Sequence, residues 1–279
     1  MIDRAAYTDL VGRALAEDLG AEGDLTTDTC IPEDSQARAA LVARSGGVVA
    51  GLEVAAYVFK SIDPASVLVA RFKDGDRVPP GQEFAEVSGS ARSLLRAERT
   101  ALNILGRMSA VATATARFVA AVEGTGARIS DTRKTMPGMR LLDKYSVLIG
   151  GGVNHRMGLF DAVLIKDNHI AAIGGIAPAV EAARERFGPE MMIEVEVETL
   201  EQLEIVLATS ADRVLLDNMD TETLRLAVEV TAGRIITEAS GGVTLDNVRS
   251  IASTGVDIIS VGWITHSAPQ MDIALDFLT

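Results

Sequence analysis

One stretch of the chain gathers Arg133, Lys134, Arg140, Lys144, Arg156 and Lys166, with only Asp131, Asp143 and Asp161 against them. The formal net charge is −13, so this cluster is either a solvated face of mixed charge or the lining of a pocket for a small anion. Further along, Glu194, Glu196 and Glu198 alternate with Val195 and Val197. Strand periodicity puts those three carboxylates on one face. In a confined site they stay ionised only beside Lys, Arg or Mg²⁺; on an exposed strand they would simply mark the wet side. Asp217 closes an aliphatic run, a position suited to an oxygen ligand for Mg²⁺ or a ribose hydroxyl. Capping the next helix is the alternative for it, although Thr221 is better placed to cap. Ser240, Gly241 and Gly242 form a small turn whose backbone N–H groups would converge on an anion, and Gly262 lies in the loop after the following strand.

These residues need elements that bring them together. From Arg128 onward, short β-branched runs recur about every twenty residues with helical stretches between them. The runs are Arg128–Ser130, Asp161–Ile165, Met192–Val197, Arg213–Leu216, Arg234–Thr237 and Asp257–Val261. Helical periodicity covers Ala177–Phe187, Leu200–Ala208, Thr221–Thr231 and Leu245–Ser253. This rhythm implies a parallel sheet, open or closed into a barrel. Every run ends in charged or small polar residues, and barrels carry their chemistry at that end of the strands, so a barrel is the favoured reading. An open doubly wound sheet would also bring the strand ends together.

The earlier part of the chain differs. Ala37–Val49 and Val67–Phe72 read as strands, Lys73–Gly81 as a turn-rich segment, and Ser90–Glu123 as a long helix. Gly23–Thr29 reads as a loop. The expected organisation is α/β, with an N-terminal domain over 1–106, a tail 267–279 packing with it, and a barrel over 107–266.

Composition narrows the function. The acidic balance argues against a nucleic-acid partner, whose phosphates are neutralised by Lys and Arg. No apolar run approaches a membrane span, and Met1–Leu10 lacks the apolar core of a signal peptide. The single cysteine, Cys30, is expected to be buried in a reducing, cytoplasmic setting. His155, His169 and His266 are too widely spaced in sequence for a zinc pattern. Next to Arg156, His155 is expected to have a lowered pKa while still donating to a carboxylate. No G-x-x-x-x-G-K-[ST] occurs, and Gly150, Gly151 and Gly152 do not satisfy G-x-G-x-x-G.

The string DTRKTMPGMRLLDKYSVLIGGGVNHRMGLFDAVLIKDNHI, over Asp131–Ile170, closely resembles the quinolinate phosphoribosyltransferase family. The resemblance continues in EDLGAEGDLTT, ERTALNILGRMSAVAT, IEVEVET, LLDNM, EASGGV and SVGWITHSAP, and so spans nearly the whole chain. Trp263 stands where the family often has smaller residues. The resemblance implies an N-terminal open α/β sandwich and a C-terminal incomplete α/β barrel. It also implies a homodimer at least, in which Arg99 enters the partner's site. The implied ligands are quinolinate, phosphoribosyl pyrophosphate and Mg²⁺. By the same resemblance Thr132, Arg133, Lys134, His155, Arg156 and Lys166 surround quinolinate. Glu196 and Asp217 hold ribose hydroxyls and Mg²⁺; Ser240, Gly241, Gly242, Ser260, Val261 and Gly262 take the 5-phosphate. Lys134, Lys166, Glu196 and Asp217 are the implied catalytic groups. The rival readings are a phosphoribosyltransferase for another aromatic acid and a non-catalytic sugar-phosphate sensor.

Overall fold

The computed structural model describes residues 2–278; Met1 and Thr279, the outer ends of the expected domains, lie outside the described residues. Its contacts divide the chain into two compact units. The first runs up to Ala116, takes in Thr135–Gly151 and resumes at Ser267; the second consists of Arg117–Lys134 and Gly152–His266.

The first unit contains strands β1 (Gln36–Ala43), β2 (Gly47–Val48), β3 (Val67–Ala70), β4 (Arg77–Val78) and β5 (Glu83–Ser90). The C-terminal strand Ile273–Phe277 pairs with β1, which pairs with β5, which pairs with β3, all antiparallel. Core-facing Leu41, Phe84 and Val87 are fully buried. Helix Leu52–Ile62 buries Leu52, Ala55, Val58 and Phe59, and helix Ala91–Ala121 contributes Leu94, Ala101, Leu105, Met108 and Ala112 to the same core. Spacings of three and four along each helix set one apolar stripe against the sheet.

Four local expectations change here. The segment read as one strand from Ala37 breaks between β1 and β2, and the turn-rich segment contains β4. Gly23–Thr29 is mostly not loop: Leu25–Cys30 is a helix started by Asp24, whose carboxylate accepts the Thr27 N–H at 3.0 Å. That cap compensates for threonines with weak helical preference. Cys30, at the end of that helix, is exposed rather than buried.

The second unit carries β6 (Arg128–Ser130), β7 (Val163–Ile165), β8 (Ile193–Val197), β9 (Arg213–Asp217), β10 (Ile236–Ser240) and β11 (Ile258–Ser260). They form one six-stranded parallel sheet in the order β6-β11-β10-β9-β8-β7. The first strand thus neighbours the last, the circular order of a β/α barrel, while β6 and β7 do not pair. A single parallel bridge from Ser130 to Val153 occupies the free edge of β6. The sheet is an incomplete barrel, as the family resemblance implied.

Two boundaries move for visible reasons. β10 starts at Ile236 and not at Arg234, because the Arg234 guanidinium donates to the carbonyls of Val230 and Thr231 at the end of the preceding helix. The helix expected from Leu245 begins at Val248, since Asn247 Oδ1 accepts the Thr244 N–H and holds the intervening residues as a turn. Among the described residues no helix is long and apolar enough to cross a membrane.

Candidate active site

The C-terminal ends of all six strands of the second unit open into one cavity of about 570 Å³. Its cationic side begins after β6 with Thr132, Arg133 and Lys134. Thr132 Oγ1 accepts the Lys134 N–H at 3.0 Å, and the Lys134 carbonyl accepts from Thr265 Oγ1 at 2.9 Å, so the turn is tied at both ends. His155 and Arg156 follow the Val153 bridge. The fully buried Asp131 carboxylate accepts the His155 N–H at 2.9 Å, and Arg156 Nη1 donates to the Ala162 carbonyl at 3.2 Å.

The Nε atoms of Arg133 and Arg156 are buried and have no hydrogen-bond partner among the described residues. Burial lowers the Arg156 pKa, and the charge of Arg133 lowers it further. Of the basic residues, Arg133, Lys134, Arg156 and Lys166 line this cavity and give this side of it a cationic lining. Arg140 and Lys144 belong to the first unit, on helix Arg140–Ile149; Lys144 is fully buried there and Arg140 Nε donates to Thr135 Oγ1.

Facing the cations are the acids. On β8, Val195 and Val197 are buried among aliphatic side chains while Glu194 and Glu196 take the other face. Glu196 lines the cavity and forms a close ion pair with Lys166 Nζ. Asp217, the last residue of β9, also lines it. Burial raises the Asp217 pKa, and the charge of Glu196 raises it further; in the register of the two strands Glu196 pairs with Leu215, two residues before Asp217. Glu198 lies past the strand end, exposed and outside the lining. The helix after β9 is capped by Asp220, whose carboxylate accepts the Thr223 N–H at 2.8 Å; neither Asp217 nor Thr221 has that task.

Below the cavity lies a buried polar layer that the sequence did not reveal. His155 Nε2 stands 2.9 Å from Glu194 Oε2 and 3.6 Å from Glu238 Oε1. Arg213 Nη1 is 3.0 Å from Glu238 Oε2, and Ser260 Oγ donates closely to Glu238 Oε1. Burial opposes the charged imidazole, but the Glu194 hydrogen bond and the Glu238 charge outweigh it, so the His155 pKa is raised. The lowered value expected from Arg156 does not hold. Adjacency in sequence does not set ring contacts, and the ring points at carboxylates from β8 and β10. Burial, then the charge of Glu194, pushes Glu238 up to about 7. One ligand atom from each of His155, Glu194 and Glu238 lies within 4.8 Å of the others, a grouping invisible in histidine spacing alone.

The remaining wall is small. Ser240 ends β10 and is followed by Gly241 and Gly242, Ser260 ends β11, and Gly262, Trp263 and His266 complete the lining. Trp263 opens a short helix, with its ring centroid 6.1 Å from that of Phe118. Val261 does not line the cavity: its side chain is buried and its N–H donates to the Ser130 carbonyl at 2.9 Å. Arg99 is a residue of the first unit, where it borders a cleft of about 200 Å³ with Glu17, Asp18 and Asn103.

Fold and cavity together define a β/α-barrel enzyme that handles anions at the carboxyl ends of its strands. Comparison with known proteins makes this specific. Residues 24–109 match the N-terminal domain of quinolinate phosphoribosyl transferase and residues 111–276 match its C-terminal domain. The chain belongs to the quinolinate phosphoribosyltransferase family. It is 46% identical to the carboxylating nicotinate-nucleotide pyrophosphorylase of Mycobacterium leprae, over 97% of each chain. The crystal structure of NadC from Streptococcus pyogenes superposes with a TM-score of 0.96 at 38% identity, over 100% of this chain and 99% of that one. The nicotinate-nucleotide pyrophosphorylase of Francisella tularensis gives 0.95 at 39% identity, covering 100% and 98%.

Proposed function

We propose that the chain joins quinolinate to phosphoribosyl pyrophosphate, giving nicotinate mononucleotide, pyrophosphate and carbon dioxide, in the cytoplasm and in de novo NAD biosynthesis. The observation that carries this reading is that Arg133, Lys134, Arg156 and Lys166 line one cavity with Glu196, Asp217 and a glycine turn. Two adjacent carboxylates on a flat ring match two half-buried guanidiniums, each able to bind a carboxylate in bidentate fashion. Leu164 and Leu215 add apolar surface for the ring.

The pyridine nitrogen forms a bond to ribose C1 as the bond from C1 to the pyrophosphate oxygen breaks, through an oxocarbenium-like state flanked by Glu196 and Asp217. The alkylated ring nitrogen is then positive. When the bond from the neighbouring ring carbon to its carboxylate breaks and carbon dioxide leaves, the electron pair stays on that carbon, where the adjacent positive nitrogen stabilises it. Lys134 or Lys166 returns a proton to that ring carbon. The neighbouring carboxylates of Glu196 and Asp217 fit Mg²⁺, which takes hard oxygen ligands and, when bound, would neutralise charge on the pyrophosphate. Ser240, Gly241, Gly242, Ser260 and Gly262 receive the 5-phosphate, and Thr132 and His155 border the quinolinate end. Family membership supports a homodimer in which Arg99 completes the partner's site.

Carbon dioxide release from carboxyl-labelled quinolinate, with phosphoribosyl pyrophosphate and Mg²⁺, tests the proposal. Turnover of quinolinate and not of nicotinate is expected. Turnover of nicotinate alone, or sugar-phosphate binding without turnover, would refute it.

A further inference from the structure

Among the described residues only Asn218 and Ala232 combine a side chain with a positive φ. Ala232, at 48°, closes the helix Thr221–Thr231, where a left-handed residue commonly ends the last turn. Asn218, at 54°, ends no helix; it follows β9 directly and lines the cavity. Asn enters this region at less cost than most side chains, yet a left-handed residue away from a helix end asks for a reason.

Its contacts supply one. Asn218 Nδ2 donates to Asp217 Oδ2 at 2.7 Å, and its backbone N–H donates to the Ser240 carbonyl at 2.9 Å. Its Oδ1 occupies the space in front of Gly241, where an added Cβ would lie only 2.1 Å away. Asp217 and Ser240 are the last paired residues of β9 and β10, so one amide side chain meets the acid of one strand and the turn of the next.

We infer that Asn218 is a positioning residue for the phosphoribosyl half of the cavity, fixing the rotation of the Asp217 carboxylate and the seat of Ser240–Gly242 at one mutual spacing. This rests on the reading of that half as a sugar-phosphate site. A carboxylate turns easily about its terminal torsion. With Oδ2 held by the amide, Oδ1 is the oxygen left for a ribose hydroxyl while the turn receives the 5-phosphate. Preset spacing between two anchors raises affinity for a ligand that spans both and does nothing for one bound elsewhere.

The test measures ribose 5-phosphate and quinolinate separately by calorimetry. Asn218→Gly keeps the left-handed backbone and removes the amide; Asn218→Asp keeps the shape and sets an acceptor against Asp217. The Gly variant should weaken ribose 5-phosphate binding about tenfold, and the Asp variant further, because like charges then face each other. Quinolinate affinity should stay within about twofold. A Gly variant with wild-type affinity for ribose 5-phosphate overturns the inference, and so does equal loss of both ligands, the mark of general damage. A wild-type chain that binds ribose 5-phosphate but releases no carbon dioxide from quinolinate sinks the functional reading alone, and the variants still decide this one. If the wild type binds no ribose 5-phosphate, both fall.

Discussion

His155 and Glu194 meet inside the second unit, Nε2 to Oε2 at 2.9 Å, with 8% and 3% of their side chains exposed. The other ring nitrogen, Nδ1, accepts the Arg156 backbone N–H at 2.8 Å. The imidazole therefore ties β8 to the segment that carries a substrate-facing guanidinium. Glu194→Met removes the acceptor and leaves a buried N–H unpaired, which should cost about 1–3 kcal/mol of stability. Denaturant unfolding checks this; Glu194→Gln, which keeps an acceptor oxygen, should recover most of the loss.

Glu238 gives a pH dependence. Its carboxyl has an ordinary pKa of 4.5 and is pushed up to about 7 by burial, then by the charge of Glu194. Protonation is easier folded than unfolded, so its contribution to stability is complete below the unfolded pKa and is lost as pH rises through the folded one. Glu238→Gln cannot ionise. Its thermal midpoint relative to wild type should therefore climb between about pH 5 and pH 8. Midpoints that change in parallel would show that Glu238 is already ionised at the acid end.

Lys134 and Lys166 occupy different surroundings. Lys166 is paired with Glu196, the acid proposed to hold the ribose, whereas Lys134 lies in the turn beside Arg133. Replacing each by Met and following pyrophosphate and carbon dioxide release separately should split the two steps. We expect Lys166→Met to slow ribosyl transfer by at least about 100-fold. Equal loss of both products in both variants would defeat the division of roles.

Arg99 yields a mixing experiment. If it serves the partner's site, Arg99→Ala and Lys166→Met are each inactive alone, yet a hybrid dimer contains one intact site. Co-refolding the two in equal amounts should restore about a quarter of wild-type activity, since half the dimers are hybrids with one of two sites complete. Activity no higher than that of the separate variants would place Arg99 outside a shared site.

Much of this was legible before any coordinates. Arg128–Ser130 and the helix Thr221–Thr231 coincide with their sequence readings, because β-branched runs and helical stripes are local signals. Residues at strand ends were legible too, since parallel strands with helical crossovers must deliver those ends to one side. The layer of Glu194, Arg213 and Glu238 was not. A charge inside a strand reads as a wet face unless its partner is known, and here the partners come from different strands.

Gly241 carries a consequence for the history of such chains. At φ 94°, with Asn218 Oδ1 in the space a Cβ would need, it has no neutral replacement while that amide is present. Exchanging Asn218 alone does not lift the bar, because the backbone angle remains and the Asn218 backbone N would still stand 3.0 Å from an added Cβ, so position 241 stays glycine for as long as the turn keeps its course.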